Sequence, residues 1–192
     1  MKELSLYQIR DMALESGRAV FSTQQLANLI GKPRAISTVY ASRLAQKGLA
    51  WKVLKGKISF EKDEFIIATQ LVEPSYISLG SALLSHGITT QVQKAIECVT
   101  TENSLKFKKL GIIYHKIPAQ LFFGFKKQAK GKSYAMVAEP EKALLDGLYL
   151  NIFSENDLKE LSQKIDLQKL KELVKKFNGH GKKKLERMIG NA

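Results

Sequence analysis

Two short runs hold the side chains best suited to grip and read a polyanion. Lys32, Arg34, Ser37, Thr38 and Ala41 form the first, and Lys52, Lys55 and Lys57 the second. Arginine offers a planar fork of donors, serine and threonine hydroxyls donate or accept, alanine permits close approach, and lysine is a point charge for phosphate. Such a set makes and breaks no bonds. It reads duplex DNA if the first run lies on the leading face of a helix and the second on an adjacent hairpin.

The residues that could support catalysis do not assemble in the same way. His86, His115 and His180 are scattered, without cysteine or carboxylate partners at metal-ligand spacing. No glycine pattern of a P-loop or a dinucleotide turn is present. Gly80-Ser81 could open a nucleotidyltransferase site, but that chemistry needs closely spaced carboxylates downstream to hold metal ions, and no Asp-x-Asp follows. Glu61 and Asp63 are expected at a solvated strand end. Glu139 and Glu141 fit a helix start, and Asp146 is expected to face solvent or a basic neighbour. The sequence therefore predicts no enzyme, no catalytic residue, no metal site and no cofactor.

The elements that would position the basic runs can be read from spacing. Ser22-Thr-Gln-Gln has the form of a capping box, Leu26, Leu29 and Ile30 recur at helical spacing, and Gly31 suits the left-handed end of that helix. Pro33 then opens a second helix, with Ile36, Val39 or Tyr40, the Arg43 stem and Leu44 expected to face the core. This leaves Arg34, Ser37, Thr38 and Ala41 on the opposite side. Trp51-Lys-Val-Leu and Lys57-Ile-Ser-Phe alternate about Lys55-Gly56 as a two-stranded wing with a basic tip. Leu6, Ile9, Met12 and Ala13 supply an earlier helix, ending near Gly17. Three helices and a wing make a winged helix-turn-helix, assigned to residues 1–70.

Charge points the same way. The 192 residues carry 31 Lys+Arg against 18 Asp+Glu, a formal net charge of +13. Residues 1–63 hold 11 basic and 5 acidic side chains and are the most basic third. At 44% hydrophobic and 26% charged residues the chain has an ordinary globular composition. The lone cysteine, Cys98, excludes an internal disulfide and is expected in a buried strand. With no apolar run long enough for a leader or a membrane span, a reducing cytoplasm and no membrane partner are expected.

Residues 71–192 read as a second, α+β domain. Residues 74–87 are expected to form a capped helix begun by Ser75 or Ser78 and stopped by Gly87. Ile96-Glu-Cys-Val-Thr, Gly111-Ile-Ile-Tyr-His and Ser133-Tyr-Ala-Met-Val read as strands, and Leu121-Phe-Phe-Gly-Phe as a fourth. A helix begins at Glu139-Pro-Glu-Lys. C-terminal helices follow through Leu158, Leu161 and Ile165, then Leu167 to Phe177, and after Gly179-His-Gly through Leu185, Met188 and Ile189. Lys182 to Lys184 reads as a solvated face.

Two segments carry a family resemblance: Pro74-Ser-Tyr-Ile-Ser-Leu-Gly-Ser-Ala-Leu-Leu-Ser-His-Gly-Ile-Thr and Val137-Ala-Glu-Pro-Glu-Lys-Ala-Leu-Leu-Asp-Gly-Leu-Tyr-Leu. With them the chain resembles the AbiEi family of antitoxins from type IV abortive-infection toxin-antitoxin systems, from about Leu6 to the C-terminal helices. The resemblance implies a transcriptional regulator that represses its own promoter through the N-terminal winged helix. It also implies that the AbiEi-like domain counteracts a nucleotidyltransferase-like toxin. The rival reading is a basic RNA-associated or protein-scaffolding module whose winged helix has no operator specificity.

Overall fold

The computed structural model describes residues 4–177 and 180–190. It is an α+β chain that divides into two units, one of Met1–Val72 with Gln128–Ala135 and the other of Glu73–Lys127 with Met136–Ala192. Among the described residues no helix is long and apolar enough to cross a membrane.

In the first unit α1 (Leu6–Glu15) is followed by the short strand β1 (Val20–Ser22), then α2 (Thr23–Ile30) and α3 (Arg34–Gln46). The antiparallel hairpin of β2 (Trp51–Leu54) and β3 (Lys57–Ser59) comes next, and α4 (Glu64–Leu71) closes the run. The capping box at the start of α2 is present: Ser22 Oγ accepts from Gln25 N–H at 3.2 Å, and Gln25 Oε1 accepts from Ser22 N–H at 2.8 Å. Gly31 ends α2 at φ 61°, a left-handed geometry that costs glycine little and turns the chain sharply into α3.

The three strands lie in the order β1-β3-β2, with Phe21 opposite Ile58. Phe21, Ile58 and Phe60 meet Ile9, Leu26, Ile30, Tyr40 and Leu44 in one buried cluster, and the Phe21 and Phe60 rings meet edge to face at 5.6 Å. A buried glutamine completes the unit. Gln70 Oε1 accepts from the Ala19 and Val20 N–H groups at 2.8 and 3.1 Å, and its Nε2 donates to Ser133 Oγ and the Tyr134 carbonyl, each at 3.0 Å. These bonds, with Ser133 Oγ donating to the Gly17 carbonyl at 2.9 Å, explain why residues 128–135 belong to this unit and not with the 71–192 stretch.

Asp63 is not a solvated strand end. It caps α4, accepting from the Phe65 and Ile66 N–H groups at 2.9 and 3.0 Å, and it pairs with Lys130 at 3.1 Å. Partial burial pushes its carboxyl upward, but the hydrogen bonds from the Ile66 N–H and from Lys130 outweigh this and hold it below the usual range.

The second unit is built on a mixed sheet. Its elements are β4 (Ser75–Ile77), α5 (Leu79–Ser85), β5 (Ile96–Thr100), β6 (Leu105–Phe107), β7 (Ile112–Lys116) and the outer parts of β8 (Phe125–Lys130) and β9 (Ser133–Ala138), whose Gln128–Ala135 stretch belongs to the first unit; the strands lie in spatial order β6-β7-β5-β4-β9-β8. The helices α6 (Pro140–Tyr149), α7 (Glu155–Ser162), α8 (Leu167–Val174) and α9 (His180–Gly190) follow. Cys98 is buried in β5.

Two expectations fail here. Residues 74–87 are not one helix, because Ser75–Ile77 pairs with β5 on one side and β9 on the other, and only Leu79–Ser85 is helical. Pairing on both edges outweighs the capping signal of Ser75, while Ser78, the other expected start, does stand at the N-cap of α5 without a side-chain capping bond. Residues 121–125 are not a strand either: a 3-10 turn covers Ala119–Leu121, and β8 starts only at Phe125. The break placed at Gly179 lies outside the described residues, as does the His180 side chain. Lys184 is not simply solvated; its ammonium donates to the Leu148 carbonyl at 3.2 Å and to Asn151.

Candidate nucleic-acid interface

In α3 the buried positions are Ser37, Tyr40 and Leu44, spaced three and four residues apart against α2. The expected core stripe holds at Leu44 and at Tyr40, the alternative to Val39, whereas Ile36, Val39 and Arg43 lie about 100° round the helix from the buried face. Ile36 and Val39 are 46% and 49% exposed, and Arg43 faces solvent. The larger Tyr40 and Leu44 side chains fill the core, and the small Ser37 lets α2 and α3 approach. Ser37 is therefore a correction to the site: it is wholly buried, and its hydroxyl donates to the Pro33 carbonyl at 3.2 Å.

Arg34 and Thr38 stand exposed one turn apart, as that face requires, with Thr38 Oγ1 donating back to the Arg34 carbonyl at 3.0 Å. Ala41 is half-buried beside them, and Lys32 is half-buried in the turn before α3. Across from Thr38, Ala41 and Ser42 lie Lys52, Leu54 and Lys55 of the hairpin and Ser22 and Thr23 at the start of α2, enclosing a groove of about 300 Å³ floored by Phe21, Leu26 and Ile58. The hairpin tip is fixed in place. The Gly56 carbonyl accepts from Thr23 N–H at 3.0 Å and from Thr23 Oγ1 at 3.2 Å.

Lys52 and Lys55 are exposed on this hairpin. Lys57 is not placed like them, because its ammonium donates to the Leu71 carbonyl and fastens the end of α4. At the other end of the hairpin Trp51 is partly exposed, with the Lys62 ammonium 4.6 Å from its ring centre.

The electrostatics are one-sided. From Ser16 to Phe60 the chain carries eight lysines and arginines and no aspartate or glutamate. Ordinary salt bridging within this segment is thus ruled out, and an anion brought beside it would relieve the repulsion among its cations. Ser42, Ser22, Thr23 and Leu54 join the groove without having been anticipated. A helical wheel anchored on Tyr40 and Leu44 would have placed Ser42 there, whereas the contribution of α2 depends on tertiary packing.

The two segments that carry the family resemblance meet in the second unit. Lys142 and Asp146, one turn apart on α6, form an ion pair with side chains 0% and 1% exposed. Asp146 also accepts from Tyr76 Oη at 2.9 Å and Ser78 Oγ at 2.8 Å, so of the two settings expected for it the basic neighbour holds and the solvent does not. The Lys142 ammonium lies 5.5, 5.0 and 5.7 Å from the ring centres of Tyr76, Phe123 and Phe177. Burial pushes the Lys142 ammonium below its ordinary range against the opposing pull of Asp146, and burial together with the Asp146 charge pushes the Tyr76 hydroxyl up. Gly124, at φ 74°, lies where an added Cβ would come within 2.9 Å of the Lys142 stem.

Wholly enclosed, this pair is a structural lock and not a reactive site. Glu139 and Glu141 at the start of α6 are likewise engaged, with Lys169 3.1 Å from the first and 2.9 Å from the second. His86 Nε2 is 2.9 Å from the Ala138 carbonyl, and His115 is 3.4 Å from Glu97. Among the described residues no group of three histidine, cysteine or acidic side chains is placed to hold a metal ion. No family model matches the chain, and no curated protein matches it.

Proposed function

We propose that the first unit is a winged helix-turn-helix that binds duplex DNA, with α3 as the reading helix and β2 and β3 as the wing, and that the chain is a transcriptional regulator acting by occupancy and not by catalysis. The carrying observation is the segment from Ser16 to Phe60, whose eight cations have no carboxylate among them and whose exposed α3 face adjoins the fixed hairpin bearing Lys52 and Lys55. In this reading Arg34 and Thr38 meet base edges or phosphates, and Lys32, Lys52 and Lys55 meet the backbone.

The second unit is proposed as an AbiEi-like antitoxin domain that counteracts a nucleotidyltransferase-like toxin in the cytoplasm, the regulated DNA being the chain's own promoter. Its support is the resemblance of the two segments, together with their convergence on the Lys142, Asp146, Tyr76 and Ser78 cluster. The test is nuclease footprinting of the region upstream of the chain's own gene. A discrete protected patch is expected, and uniform or absent protection would overturn the reading.

A further inference from the structure

The outer side of α3 carries apolar surface that its basic surroundings do not explain. Ile36 and Val39 are about half exposed, with the exposed Arg43 on the same side of the helix and the exposed Ala35 between that side and the Arg34 and Thr38 side. Neither the Ile36 nor the Val39 side chain can donate or accept a hydrogen bond. Pressed onto the polar edge of guanine, cytosine or adenine, they would strip water from N7, O6 or amino groups and replace it with nothing. Thymine alone presents a methyl group in the major groove.

Resting on the reading of α3 as the helix that enters that groove, we propose that Ile36 and Val39 are specificity-determining residues that pack on thymine C5-methyl groups. Three residues apart, they are separated by roughly 4.5 Å along the helix axis, so they meet the same or neighbouring base pairs. Charge argues against a second copy of the chain as the occupant. Two such faces would bring Arg43 against its own counterpart, with no acidic residue between Ser16 and Phe60 to offset it. Duplex DNA supplies the opposite charge beside the apolar strip.

The experiment uses the full chain and a duplex site selected by it from a randomised pool, resynthesised with deoxyuridine replacing thymidine one position at a time. This removes a methyl group and leaves every hydrogen-bonding group in place. Wild-type binding is expected to weaken about fourfold at one or two neighbouring positions, the size of one lost methyl contact. The penalty should vanish in Ile36→Ala/Val39→Ala, shrink in the isosteric Val39→Thr, and persist in Arg34→Ala. Both altered side chains are exposed, so the variants should melt as wild type does. A selected site that tolerates uracil everywhere, or a penalty unchanged in the variants, overturns this inference and leaves DNA binding standing. Failure to enrich or bind any duplex overturns both.

Discussion

Replacing Asp146 by alanine tests the lock in the second unit, and its cost follows from the geometry. The substitution leaves the Lys142 ammonium wholly buried among three aromatic rings without its counter-charge, and it removes the acceptor for Tyr76 Oη and Ser78 Oγ. Breaking a buried pair from one side costs about 3–5 kcal/mol. The two orphaned hydroxyls add to this, although not in full, because all four groups form one network.

Removing both charges together, in Lys142→Met/Asp146→Leu, should cost far less, since no uncompensated charge remains. Burial already lowers the Lys142 ammonium, and without Asp146 that lowering is unopposed. The unfolded chain then holds its proton up to the ordinary lysine range while the folded chain has released it. Stability of Asp146→Ala relative to wild type should therefore rise with pH from neutrality towards the ordinary lysine range. Urea denaturation followed by far-ultraviolet circular dichroism at pH 7 and pH 9.5 measures both effects. The reasoning fails if Asp146→Ala costs no more than about 0.5 kcal/mol, the range of ordinary surface changes. It fails equally if the double variant is as unstable as the single one.

The remaining predictions concern the first unit. Arg34→Ala should weaken promoter binding by roughly 1–3 kcal/mol with an unchanged melting temperature, as read by gel-shift titration and calorimetry. Lys55→Ala should lower the magnitude of the salt slope of binding by about 1, while Lys57→Ala should leave that slope unchanged and cost about 1 kcal/mol of stability through the lost bond to the Leu71 carbonyl. Gln70→Ala strands the Ala19 and Val20 N–H groups and should destabilise the protein by about 2–5 kcal/mol in urea titration.

Local signals in the sequence carried much of the first unit. The Ser22 and Gln25 capping box, the Gly31 stop and the Lys55-Gly56 turn depend on a few neighbouring residues, so their spacing is sufficient to place them. The facing of α3 was not legible, because Ile36, Val39, Tyr40 and Leu44 are all apolar enough for a core, and the choice among them is made by α2 and the strands. Ser37 was misplaced for the same reason. Lys57 alternates like a wing-tip cation, and only the end of α4 reveals where its ammonium goes. In the second unit Ser75 imitates a helix start, yet pairing with β5 and β9 makes it a strand residue, and the helix begins only after Ser78. The buried Lys142 and Asp146 pair leaves a trace in the sequence, since opposite charges one turn apart lie in an otherwise apolar stretch of α6, but such spacing also describes an exposed pair.

The central claim is specific binding of duplex DNA through α3 and the hairpin. Its most direct test is a fluorescence-anisotropy titration of the full chain against a labelled duplex from its own promoter, across a salt series with excess random duplex present. Saturable binding should survive at physiological salt, with affinity falling linearly in log–log form as salt rises. Equal affinity for promoter and random duplex, lost together as salt rises, would contradict it.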